Sequence, residues 1–161
     1  ARLDCLIDRE KGGAIMTTET DMALLALLHA AIIGFMIFFM AIVPPSAFKT
    51  LSADAVGTFL RVLFPRMFLF GLTLSLAASV AGLVAGAGWQ VTVSILIVVG
   101  FAVNVFVLTP KINTYRDRDV EGDVAAKRIF RLLHLAAVSI FLVQLAGSLM
   151  VASDYLFSMT G

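Results

Sequence analysis

The chain has 161 residues, of which 60% are hydrophobic and only 14% charged, and its mean hydropathy is +1.00. Soluble domains spend about a quarter of their residues on charge, so this balance excludes a water-soluble domain and leaves a single domain embedded in lipid. The formal net charge of +1 comes with no basic, aromatic-laced patch that would suit nucleic acid, and the lone Cys5 can form neither an internal disulfide nor a zinc cluster.

Residues 1–15 are charged and keep no helical period. Arg9-Glu10-Lys11-Gly12-Gly13 lies just before Met16, and codons for Lys-Gly-Gly would resemble a ribosome-binding site read in frame. Residues 1–15 read either as a non-native extension or as a short disordered tail, and 16–161 are expected to form one four-span membrane domain. Crossing the hydrocarbon core takes about 20 mostly apolar helical residues. Four stretches qualify, at about 22–43, 67–87, 91–108 and 129–152. The first is expected to end at Pro44-Pro45, because proline has no N–H to continue the helix. A Gly86-Ala87-Gly88-Trp89-Gln90 turn follows the second, and the third ends before Pro110. Arg131 is the one Asp, Glu, Lys or Arg inside the four. The predicted fold is an all-α membrane protein: a bundle of four transmembrane helices with short amphipathic helices in the longer connections.

Those connections carry the basic charge. Residues 44–66 hold Lys49, Arg61 and Arg66; residues 109–128 hold Lys111, Arg116, Arg118, Lys127 and Arg128. Counted from Met16, the opposite side holds no Lys or Arg. The positive-inside bias therefore places both connections in the cytoplasm of a bacterial inner membrane and both termini outside. Trp89 and Tyr155 then fall at the outer interface. Ser52 can cap a helix with Val56, Phe59, Leu60 and Leu63 on one face, running into the second span through a kink at Pro65. Gly122-Asp123 can start a helix that continues into the fourth span. Between them Tyr115-Arg116-Asp117-Arg118-Asp119 alternates in charge and reads as a solvated loop. Gly71, Ser75 and Ser79, with Ala78, Gly82 and Gly86, give the second span two small-residue stripes that suit a central helix.

Polar residues inside spans mark candidate sites. These are His29, Thr73, Asn104, His134 and Gln144. With about 1.5 Å of rise per residue, His29 and Gln144 share an outer layer, while Thr73, Asn104 and His134 gather about 8–10 Å below the cytoplasmic edge. His134, Ala137, Phe141, Gln144 and Ser148 share a face that should look into the bundle. One haem held by both histidines is disfavoured, because they are offset by about 10 Å along the membrane normal. Haem through His134 with a methionine, and copper through His29 with Met36 and Met40, stay as alternatives. No metal or cofactor is expected as the first reading. Soluble-enzyme motifs are absent: there is no glycine-rich phosphate loop, nucleophile elbow, or carboxylate pair within a span. A binding or accessory role is expected, with the bilayer as environment and a membrane partner or second copy as companion.

Several short stretches sit at helix ends in a recognisable order. They are His29, Phe38-Phe39, Val43-Pro44-Pro45-Ser46-Ala47-Phe48-Lys49-Thr50-Leu51, Leu63-Phe64-Pro65-Arg66, Thr109-Pro110-Lys111-Ile112 and Phe130-Arg131-Leu132-Leu133-His134, followed by Ser139. Over about residues 24–150 the chain resembles the four-span transmembrane protein 205-like family and its bacterial relatives, whose function is unknown. It is more distantly similar to copper-resistance protein D. The resemblance implies that His29, Pro44, Phe48, Phe64, Pro65, Pro110, Phe130 and His134 are signature positions, most of them at the cytoplasmic edge. Helix termination and packing compete there with a binding site. The expected function is to bind or pass a small hydrophobic or cationic ligand, or to serve as an accessory subunit. The alternative is a metal- or haem-linked membrane protein.

Overall fold

The computed structural model describes the backbone of residues 2–160 and the side chains of residues 19–160. The expectation of a non-native extension at 1–15 falls on side chains outside the described residues. The chain folds into α1 (Arg2–Thr50), α2 (Ala53–Val84), α3 (Trp89–Val103), a π-helical turn (Asn104–Leu108), α4 (Thr109–Val120) and α5 (Val124–Thr160). Among the described residues there is no strand.

Four segments are long and apolar enough to cross a membrane: Glu19–Thr50, Ala53–Val84, Trp89–Val120 and Val124–Thr160. Each packs on two neighbours, α1 on α2 and α5, and α3 on α2 and α5. The backbones of the diagonal pairs α1/α3 and α2/α5 stay apart and meet only through side chains, as His29 with Ser94 and Phe68 with Phe141, so the bundle is an antiparallel square. The exterior is apolar, unlike that of a protein in water, while polar side chains share the interior with an apolar core. Leu27, Leu83, Leu96, Phe106 and Val143 are exposed, whereas His29, Ser75, Ser94, Asn104 and Ser148 have no exposed surface at all. A continuous apolar exterior is stable only against lipid, so this is a multi-pass membrane protein.

The helix ends correct three expectations. First, α1 runs through Pro44-Pro45 to Thr50 instead of stopping there. Each proline removes one N–H from the ladder, yet the helix continues past both, and at its end Leu51 N–H donates to the Ala47 carbonyl at 3.0 Å. Second, residues 115–119 are helical, within α4, and not a loop. Alternating charge does not oppose a helix whose other face packs on α5. Third, the third span does not end before Pro110. Pro110 sits in the first turn of α4, where its missing N–H costs least. The helix widens just upstream, so that the Asn104 carbonyl takes both the Thr109 N–H and, at 2.7 Å, the Thr109 hydroxyl.

The turns themselves follow the sequence. Gly86 ends α2 at φ 66°, and Ala87 N–H reaches back to the Gly82 carbonyl at 2.9 Å. Gly122 does the same after α4 at φ 96°, with Asp123 N–H on the Arg118 carbonyl at 3.0 Å. Both are Schellman motifs, which need a left-handed residue and therefore glycine. Asp123 Oδ1 then accepts the N–H groups of Ala125 and Ala126 at 2.9 and 3.1 Å, capping α5 as anticipated. Ser52 is at the N-cap of α2 but makes no side-chain capping bond.

Two apolar clusters fill the bundle. One, near the Gly86 turn, contains Leu25, Ala78, Ala81 and Val151. The other, toward the basic end, contains Ile32, Met36, Phe68, Phe101 and Phe141 with their neighbours. Polar residues lie between and beside them.

Candidate functional site

Residues from four helices surround a cleft of about 710 Å³ at the basic end of the bundle. α1 supplies Phe39, Met40, Pro44 and Phe48, and the first turns of α2 supply Val56, Gly57, Leu60, Arg61 and Phe64. Thr109, Ile112, Asn113 and Arg116 come from one face of α4, at the 3- and 4-residue spacing of a helix. Phe130, His134, Ala137, Val138 and Phe141 come from α5. The volume falls within the range of small-molecule pockets. Met40, Phe48, His134 and Val138 line it and are exposed, so it opens sideways between α1 and α5.

The cleft's polar groups are few. Arg61 forms an ion pair with Asp117. Arg116 Nη1 donates to the Gly57 carbonyl at 3.1 Å. A side chain at position 57 would meet that guanidinium and displace it, so the glycine leaves the place that Arg116 occupies. His134 stacks on Phe130, with ring centroids 6.1 Å apart and planes 17° from parallel.

The expected polar layers are rearranged. Thr73 is exposed and its hydroxyl bonds back to the Leu69 carbonyl at 3.0 Å. It lies two residues, hence about 200°, from the inward stripe of Gly71 and Ser75, which turns it toward lipid. It therefore does not meet Asn104 and His134. Asn104 is fully buried, and both its side-chain polar atoms lack a hydrogen-bond partner among the described residues. It stands next to the cleft through Thr109 without lining it. Nor does His29 bond to Gln144. His29 Nε2 pairs with Ser94 Oγ at 2.9 Å, and Gln144 Nε2 donates to the Ile97 carbonyl at 2.8 Å. Ala137, Phe141, Gln144 and Ser148 do turn inward on one face, while His134 at its end is exposed.

Of the signature positions, Pro44, Phe48, Phe64, Phe130 and His134 converge on the cleft. Pro65 and Pro110 shape the helices behind it, and His29 sits apart in the middle of the bundle. The two histidines thus face different surroundings. Met36 is buried like His29 but two helical turns away, about 10 Å along the axis, and Met40 is exposed at the cleft. Among the described residues no group of three or more His, Cys, Asp or Glu side chains is placed to hold a metal ion. Sequence reasoning passed over Arg116, Gly57 and Ser94. The first two had a faint signal: Thr109, Ile112, Asn113 and Arg116 fall on one helical face, and Gly57 interrupts an otherwise good helix.

A square bundle with an apolar exterior, a buried polar belt and a side-opening cleft defines a class, the polytopic helical membrane proteins. Residues 27–121 match the family described as a domain of unknown function, DUF4149. The chain belongs to that family. No curated protein and no solved structure matches it.

Proposed function

We infer that the protein binds a small, largely apolar molecule in the cleft at the basic end of the bundle, taking it from the surrounding lipid. What carries this reading is the convergence of an apolar, side-opening volume with most of the signature positions. A packing role alone would fill such a volume with side chains. Of the ligand classes considered, a hydrophobic one fits better than a cationic one, because no carboxylate lines the cleft. The membrane is a bacterial inner membrane, with the cleft end in the cytoplasm and both termini outside. The distribution of Lys and Arg supports that orientation. Kinship with the transmembrane protein 205-like proteins rests on the order of the motifs at the helix ends.

The test is a cleft-filling substitution. Ala137 is buried on the cleft wall, and Ala137→Trp places an indole in the volume. Protein purified in mild detergent should carry an apolar small molecule visible by native mass spectrometry. Ala137→Trp should lose it while keeping its helical circular dichroism. A wild-type protein that never carries such a molecule would sink the reading in favour of an accessory subunit, seen instead as a stable co-purifying partner.

A further inference from the structure

We propose that the occupant of the cleft is an anionic membrane lipid, its acyl chain against the phenylalanines and its phosphate on Arg116; this rests on the reading of the cleft as a ligand site. Arg116 is half-buried in the cleft wall, yet no carboxylate lies within ion-pairing distance of it among the described residues. Neighbouring Arg61, by contrast, is answered by Asp117. A guanidinium carries five N–H donors in a planar fork, and in the structure one nitrogen, Nη1, donates to the Gly57 carbonyl. That bond, together with the absence of a side chain at Gly57, seats the head group in a fixed place instead of letting it snorkel away.

A half-buried cation without a counter-charge is costly, and an anionic head group supplied by a ligand removes the cost. Arginine binds phosphate through two parallel hydrogen bonds, which suits such a partner. The acidic residues at this end, Asp54, Asp117, Asp119, Glu121 and Asp123, are outside the lining, and Asp117 is paired with Arg61, so nothing in the cleft repels it. The opening between α1 and α5 faces lipid, which makes the bilayer the source. An amphiphile can slide in sideways, its chain meeting Phe64 and Phe141 and its head staying at the basic end.

The experiment uses a reporter in the full chain. Trp89, the single tryptophan, is at the far end of the bundle, so Trp89→Phe with Phe64→Trp puts the only indole in the cleft. Lysophosphatidate with a bromine-labelled acyl chain should quench this indole at about tenfold lower concentration than lysophosphatidylcholine with the same chain, as expected for one charge-assisted pair. Arg116→Gln should abolish the preference, Arg116→Lys should keep part of it, and Arg128→Gln, on the outer surface of α5, should leave it intact. Inorganic phosphate at the same concentration should not compete. Equal quenching by the two lipids overturns the anionic lipid and leaves the cleft reading standing. No quenching by either removes the cleft reading as well. An equal loss with Arg128→Gln, or competition by inorganic phosphate, also overturns the lipid seat. The preference in the reporter protein decides the proposal by itself even where Arg116→Gln does not fold.

Discussion

At the scale of the residue, the buried polar side chains divide into satisfied and unsatisfied ones, and the two kinds respond oppositely to mutation. Ser94 is the partner of His29 Nε2 at 2.9 Å and itself bonds the Gln90 carbonyl at 2.8 Å. Ser94→Ala strands a fully buried imidazole nitrogen, and no water is at hand in the membrane interior to replace it. The expected loss is about 1–2 kcal/mol, read from thermal unfolding in detergent. Asn104 presents the reverse case. Its amide is buried with neither polar atom bonded among the described residues, so it is a cost and not a contact. Asn104→Leu, apolar and branched at Cγ like the amide, should be neutral or stabilise by about 1 kcal/mol. A clear destabilisation by Asn104→Leu would show that the amide has a partner, a bound water or a ligand group reaching past Thr109.

At the scale of the element, small residues set how closely the helices approach. A Cβ on Gly71 would lie 2.5 Å from the Phe101 ring, so α2 and α3 meet there backbone to side chain. Gly34 on α1 has nothing within 4 Å of the same position. Gly71→Ala should cost about 1–3 kcal/mol through overpacking, whereas Gly34→Ala should gain up to about 1 kcal/mol from helix propensity. Melting the two variants side by side separates packing from the mere tolerance of glycine in membrane helices. The small-residue stripe on the second span was legible in the sequence for this reason, and so were both glycine turns and the Asp123 cap. Where helices end was less legible. Hydropathy reports where lipid covers the chain, not where the hydrogen-bond ladder stops; the second span was bounded near Met67, while the helix read from Ser52 into that span is one continuous α2 from Ala53. Pro44-Pro45 and Pro110 were read as stops, yet α1 runs through the first pair and Pro110 sits in the first turn of α4. The charged run at 115–119 was read as a loop, because nothing in the run itself marks the face that packs on α5, the next helix in the chain.

At the scale of the whole molecule, antiparallel order decides which residues meet, and that order explains what the sequence could and could not reveal of the site. Depth along the normal follows from counting residues, which is why Phe48, Phe64, Phe130 and His134 were gathered at one edge. Azimuth does not follow from counting. Thr73 shares a depth with Asn104 yet faces lipid, and His29 found Ser94 across the bundle instead of Gln144. Arg116 and Gly57 come from α4 and α2, and only their approach makes either one part of a site.

The same order makes orientation a single yes-or-no property. With an even number of crossings, the Ser52 and Glu121 connections must share one side, and the Gly88 turn must lie on the other. All three positions are exposed. In a Cys5→Ser background, Gly88→Cys should react with a membrane-impermeant maleimide in intact cells, provided the outer membrane is opened. Ser52→Cys and Glu121→Cys should react only after the inner membrane is permeabilised. The reverse pattern would turn the bundle over, and with it the basic end. Arg61, Arg116, Arg128 and Arg131 would then face the outside, against a bias that is strongest in short connections such as these. The cleft would then draw from the outer leaflet, away from the negative surface potential that favours anionic head groups at the cytoplasmic face. Orientation and cleft chemistry are thus tied: two of the arginines whose bias favours this insertion, Arg61 and Arg116, border the cleft.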